Sequence, residues 1–144
     1  MTVKDFYISN GVRILQSSKM PAKLKEYFDA ENSFLLGNIE KGSSLLDIGC
    51  GLGKHISLLA GRCGKIVGID FSESTLDEAK KRLSGLGNVE LFLESGDKTH
   101  FPGESFDFVI CMWNTFGNMP GKTQLPALKE MSRVVKKTGR IILS

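Results

Sequence analysis

With 144 residues, 41% of them hydrophobic and 24% charged, the chain suits one domain with a sizeable core and has the composition of an ordinary soluble globular protein. No apolar run approaches the roughly 20 residues of a membrane helix, and the start, MTVKDFYISN, lacks the basic and apolar regions of a secretion signal. The net charge of +3, from 19 basic and 16 acidic residues, is too even to imply a nucleic-acid partner.

Residues 1–38 are expected to form an N-terminal helical region. Leu24, Tyr27, Phe28 and Leu35 recur at helical spacing, and Pro21 stands near the start. Tyr7 and Tyr27 are equally readable as a lid over a ligand and as core aromatics. Gly42-Ser43-Ser44 then breaks the pattern, and residues 39–144 read as a second unit.

That unit alternates strand and helix. Leu45 to Ile48 is a short apolar run followed by a glycine cluster. A helix follows with Ile56, Leu59, Ala60 and Cys63 on one face, and His55 caps it or packs near its start. Lys65 to Ile69 is a second strand ending in Asp70. Ser72 to Leu86 is a helix with Leu76, Ala79 and Leu83 inward, capped by Ser72 or Ser74. Its acids come first and its Lys80-Lys81-Arg82 run comes late, the order a helix dipole favours. Lys136-Lys137 is read the same way, as a solvated pair.

Val89 to Leu93 is a third strand, and Phe106 to Met112 a fourth, apolar enough to be buried on both faces. Leu125, Leu128, Met131 and Val134 mark a helix closed by Gly139, and Arg140 to Leu143 begins a fifth strand. Alternating strands and helices imply an α/β, Rossmann-like, doubly wound parallel sheet. The odd count of three cysteines, Cys50, Cys63 and Cys111, without clustered spacing suits a reducing compartment. The cytoplasm is therefore expected, and no metal site.

In such a sheet, ligands bind beyond the carboxyl ends of the strands. Those ends carry Asp47 with Gly49-Cys50-Gly51-Leu52-Gly53, then Asp70, Asp97 and Asn114. Any one of these is an ordinary loop residue; the whole series is not. Glycines permit a tight turn and close approach of backbone to ligand, which also suits dinucleotide phosphates. Asp47 discriminates, because a carboxylate two residues before the first glycine repels pyrophosphate and suits a ligand carrying an ammonium. Asp70 can accept from ribose hydroxyls with either ligand.

The segments LLDIGCGLGKH, VGIDFSE, SGDKTHFP and SFDFVICMWNTFGN resemble successive motifs of the class I S-adenosylmethionine-dependent methyltransferases, most closely the small-molecule branch. The resemblance runs from about residue 40 to the end. It implies that Gly49, Gly51 and Gly53 line the methionine part of the cofactor and that Asp47 holds its amine. It further implies that Asp70 binds the ribose, Phe71 packs on the adenine, and Asp97 accepts from the adenine amine beside the Lys98 amide. Met112, Trp113 and Asn114 would border the methyl group and the acceptor. Lys98 stands where a small residue is more usual. The fourth strand ends in Asn114-Thr115-Phe116-Gly117, without the Asn-Pro-Pro-aromatic tetrad of enzymes that methylate base or glutamine amides.

The resemblance also implies a seven-stranded sheet, so the fold is expected to be truncated after strand five and to lack its C-terminal antiparallel hairpin. An uncovered fifth strand would invite self-association. The expected activity is methyl transfer from S-adenosyl-L-methionine to a small-molecule acceptor, with no nucleic-acid or membrane partner. A general base is needed only for a nucleophile that starts protonated, and the candidate is His100. Three alternatives stay open: aminopropyl transfer, nicotinamide-dependent dehydrogenation and a non-catalytic cofactor-binding module. Against the dehydrogenase, Lys54 stands where a dinucleotide fingerprint wants glycine.

Overall fold

A computed structural model describes residues 5, 6, 8–10, 12 and 21–144. Tyr7 lies outside the described residues. Helix α1 (Ala22–Asn38) follows Pro21, whose carbonyl accepts from Leu24 and Lys25 at 3.0 Å. Proline suits that place because the first helical N–H groups have no partner within the helix. Leu35 is fully buried, Glu31 is buried and Phe28 is half-buried, whereas Leu24 and Tyr27 face solvent. The inward line is therefore Phe28, Glu31, Leu35 and, just past the helix, Ile39. Of the four apolar residues expected on one face, Phe28 and Leu35 turn inward, Leu24 and Tyr27 do not, and Glu31 joins the inward line.

Five parallel strands follow in chain order: β1 (Ser44–Ile48), β2 (Lys65–Asp70), β3 (Val89–Leu93), β4 (Phe106–Cys111) and β5 (Val135–Leu143). They stand side by side in the order β3-β2-β1-β4-β5. The chain steps outward from β1 to β3 and then returns to the other side of β1. That reversal puts the switch point between β1 and β4, where Leu45 pairs with Phe108 and Asp47 with Ile110.

Four helices connect the strands. α2 (Lys54–Leu59) leads from β1 to β2 and α3 (Glu73–Leu83) from β2 to β3. The short α4 (Thr115–Asn118) and then α5 (Gly121–Val134) join β4 to β5. One face of the sheet packs Leu45, Phe108 and Ile110 against Leu35, Ile56, Leu59, Leu76 and Ala79. The other packs Leu46, Ile48, Val67, Ile69 and Val109 against Ala127, Met131 and Val134 of α5. Each fully buried Leu or Ile contributes about 1.5–3 kcal/mol relative to exposure. Ser72 caps α3 by accepting from the Thr75 N–H at 3.4 Å.

The start of the sheet is clipped by Asp107. Its carboxylate accepts from the Ser44 N–H at 2.8 Å, the Ser44 hydroxyl at 2.7 Å and the Lys136 ammonium at 2.8 Å. The Lys136 hydrogen bond, then those of Ser44, hold its pKa at about 2.

Several boundaries differ from the sequence expectation. β1 begins at Ser44, β2 includes Asp70, α3 runs from Glu73 to Leu83 rather than from Ser72 to Leu86, and β5 begins at Val135 rather than Arg140. β4 ends at Cys111 rather than Met112. α5 ends at Val134, and Gly139 lies inside β5, not at a helix cap. There the register slips between Phe106 paired to Val135 and Phe108 paired to Arg140. A Cβ at Gly139 would stand 2.6 Å from the Asp107 carbonyl oxygen. Close backbone approach within the sheet explains that glycine. No helix among the described residues is long and apolar enough to cross a membrane.

Candidate functional site

A cavity of about 400 Å³ opens at the carboxyl ends of the strands. That lies within the range of small-ligand pockets. Its floor is the turn after β1. Gly49, Gly51 and Gly53 adopt φ of +72°, +54° and +75°, a region that L side chains rarely enter. A Cβ at Gly49 would also meet the Thr115 side chain at 2.4 Å.

Gly49 and Gly51 line the cavity, as do Asp70, Phe71, Asp97, Met112 and Trp113. The Asp70 carboxylate accepts from the Gly51 N–H at 3.0 Å and from the Ser72 N–H at 2.9 Å, so it pins the glycine turn to the start of α3. Burial raises its pKa, against the pull of these backbone donors. Asp97 accepts a short hydrogen bond from the Ser95 hydroxyl in the loop after β3.

The other expected site residues stand elsewhere. Gly53 is buried at the entry to α2, where a Cβ would collide with Leu83. Lys98 is exposed and its N–H is spent on the Ser95 carbonyl at 3.3 Å, closing the loop. Asn114 has φ of +54° and is exposed, turned away as α4 begins. His100 does not line the cavity. It is about half exposed, bonded to Glu94 and packed on Phe101.

Asp47 is 1% exposed, beneath the turn rather than in the cavity wall. Burial first, then the charges of Asp70 and Glu31, push its pKa to about 8. His55 is buried at the start of α2 and does line the cavity. Its Nε2 stands 3.4 Å from Glu31 Oε2, and burial lowers its pKa.

Three residues that sequence reasoning missed complete this corner. Phe28 of α1 stacks on Trp113 with ring centroids 4.1 Å apart. The Lys54 ammonium stands 4.6 Å from the centroid of the same indole. Glu31 reaches in from α1. A buried acid on a helix leaves no trace in hydrophobic periodicity, so nothing in the sequence pointed to Glu31.

Parallel strands in this order, with a glycine turn at the switch point and carboxylates at successive strand ends, define a Rossmann-like nucleoside-binding domain. Within that class, the family described as "Methyltransferase domain" matches residues 45–139, and the chain belongs to it. The chain is similar to the demethylmenaquinone methyltransferase of Bacillus licheniformis, 34% identical over 115 residues, covering 78% of this chain and 48% of that relative. It spans about half the length of the curated relatives it matches. Among solved structures, the PH0226 protein of Pyrococcus horikoshii matches with a TM-score of 0.75 at 26% identity, covering 85% of this chain and 58% of the other. A SAM dependent methyltransferase of Aquifex aeolicus matches with a TM-score of 0.69 at 26% identity, covering 79% and 62%.

Proposed function

We propose that the chain carries the S-adenosylmethionine-binding part of an enzyme that transfers a methyl group to a small-molecule acceptor. The observation that carries this reading is the convergence of the glycine turn, Asp70, Asp97 and Trp113, from four strand ends, on one cavity of about 400 Å³. The residues fit that cofactor. The acids Asp47 and Glu31 have buried oxygens without a hydrogen-bond partner, and acids there disfavour a phosphate and suit an ammonium. When bound, the cofactor supplies a sulfonium that makes its methyl group electrophilic.

In this reading Gly49 and Gly51 cradle the methionyl chain and Asp70 accepts from the ribose hydroxyls. Phe71 packs on the adenine and Asp97 accepts from its amine. Met112 and Trp113 border the reacting carbon and exclude water from it. Residues 1–38 act as a lid, with α1 held over Trp113 by Phe28. His100, outside the cavity, takes no part. The relatives named for a quinone precursor support a small acceptor, as does the lack of a basic stripe interleaved with aromatics. The three buried thiols are free, which suits the reducing cytoplasm. β5 is an edge strand with Leu143 exposed, and we place self-association there. A chain that stays monomeric by light scattering over a wide concentration range would end that part of the reading.

Calorimetric titration with S-adenosylmethionine, S-adenosylhomocysteine and a nicotinamide dinucleotide tests the main proposal. Binding of the first two and not the third is expected. The reverse pattern overturns it.

A further inference from the structure

Among the described residues, both carboxylate oxygens of Glu31, Asp47 Oδ2, His55 Nε2 and Trp113 Nε1 are buried without a hydrogen-bond partner. Leaving a buried polar atom unpaired is costly, and unpaired buried carboxylates are the costliest kind. These orphans are not scattered. Glu31 contacts His55, and His55 packs edge-on against Trp113 at 5.5 Å. His55 and Trp113 both line the cavity. The Glu31 side chain is 5% exposed, and its one near neighbour of basic type, His55, is held below its ordinary pKa by burial. Acid oxygens without hydrogen-bond partners are thus gathered in one recess, beside a histidine that meets Glu31 only at 3.4 Å.

Resting on the cofactor reading above, we infer that Glu31 is a positioning residue for the α-ammonium of the bound cofactor, sharing with Asp47 one acidic recess behind the cavity wall. The polarity of the corner matches an α-amino acid end to end. Negative groups lie inside, at Glu31 and Asp47. The Lys54 ammonium lies at the cavity wall over Trp113, where it can meet the carboxylate. The Trp113 N–H is a further donor. Glu31 belongs to α1, outside the matched residues 45–139, so the helix brings a charge that the matched domain lacks. The bound ammonium would then tie α1 to the sheet through Glu31, coupling cofactor retention to closure of the helix.

The groups facing this recess are Glu31 on α1, Asp47 on β1, Asp70 on β2, Cys111 on β4, Cys50 in the glycine turn, and Lys54 and His55 on α2. A cation entering among them expels the proton that burial holds on Asp47. Proton release on binding thus reports the acidic recess, and the Glu31 variants separate the part of Glu31 from that of Asp47.

The test compares S-adenosylhomocysteine with 5′-methylthioadenosine, which keeps the nucleoside and lacks the amino acid. Trp113 is the single tryptophan and reports binding by its fluorescence. Glu31→Gln, which keeps shape and removes charge, should weaken S-adenosylhomocysteine about tenfold and leave methylthioadenosine within about twofold. Glu31→Asp should recover part of the loss. Independently of any variant, calorimetry of the wild-type chain at pH 7 in two buffers of different ionisation enthalpy should show proton release with S-adenosylhomocysteine and none with methylthioadenosine. Unchanged S-adenosylhomocysteine affinity in Glu31→Gln, an equal loss for both ligands, or equal proton release with both, overturns the inference while the cofactor reading stands. Failure of wild-type protein to bind either ligand overturns both.

Discussion

Phe28 and Trp113 stack at 4.1 Å with their ring planes 30° apart, joining α1 to the end of β4 across 85 residues of chain. The indole is also touched by Lys54 and His55, so one ring gathers contacts from the N-terminal helix, the helix after the glycine turn and the cavity wall. An aromatic pair of this kind contributes about 0.5–1.5 kcal/mol beyond its buried area. Phe28→Ala should therefore loosen α1 without unfolding the sheet. The expected outcome is a red-shifted Trp113 emission, faster proteolysis within α1 and S-adenosylhomocysteine affinity reduced roughly 5- to 10-fold. An unshifted emission spectrum would show that Phe28 does not hold the helix in place.

The strands were legible because a buried parallel sheet leaves plain apolar runs between turn signals. β3 occupies the expected 89–93, and β1 and β2 differ from expectation by a residue at one end. The carboxyl-end series was legible for the same reason, since topology alone assigns strand ends to one edge. What the sequence hid was anything decided by tertiary contact. α1 turns Phe28 and Leu35 inward as expected, but it exposes Leu24, Tyr27 and Phe34 and buries Glu31, so its apolar residues gave the inward face only in part. Gly139 has the look of a helix stop, yet it answers to the Asp107 carbonyl of a neighbouring strand. Asn114 and Lys98 occupy motif positions, but local turns carry both away from the cavity wall.

Asp70 and Asp97 should separate by variant. Asp70→Ala should weaken S-adenosylmethionine by on the order of 1–3 kcal/mol, the scale of losing a hydrogen bond to a charged group. It also frees the Gly51 and Ser72 N–H groups, so its melting temperature should change as well. Asp97→Ala should weaken binding while leaving the melting temperature near wild type, because its hydrogen bond lies within a loop. Calorimetry and thermal unfolding on both variants check this. Unchanged affinity in the double variant would sink the assignment.

Gly139→Ala should destabilise the fold by about 1–3 kcal/mol, since the added methyl meets the Asp107 and Lys136 carbonyl oxygens, at 2.6 and 3.1 Å, and backbone cannot rotate away. Gly121→Ala is the matched control. It lies at the start of α5 with nothing within 4 Å, and alanine is the better helix former, so stability should stay level or rise slightly. Urea unfolding distinguishes the two. Equal midpoints would show that the β4–β5 irregularity yields easily.

Asp47 predicts an unusual pH response of the ligand-free protein. Its folded pKa is about 8 against an ordinary value of 3.8, so between those limits the folded state keeps a proton that the unfolded chain has lost. Stability must then fall as pH rises through that window, by at most about 1.4 kcal/mol per pH unit for one proton. His55 acts in the opposite sense. Its folded pKa lies below 6.5, so stability rises with pH until the unfolded histidine is deprotonated. Asp107, and Glu130 of α5, which accepts from Arg133 and Thr99, are both held at about 2 and withdraw stability only as pH falls below the ordinary carboxylate range. Asp70, also raised by burial, acts in the same sense as Asp47, so the comparison with an Asp47 variant isolates Asp47, most cleanly from pH 6.5 to 8. There the melting temperature of the wild-type chain should decline, while that of Asp47→Asn, which has no proton to lose, stays flatter and overtakes it by pH 8. The same variant should bind S-adenosylhomocysteine more weakly, because the charge that strains the empty fold is the charge that meets the ammonium. Saturating S-adenosylhomocysteine should flatten the wild-type curve. Parallel curves for wild type and Asp47→Asn from pH 6.5 to 8 would show that Asp47 is ionised in the folded protein throughout.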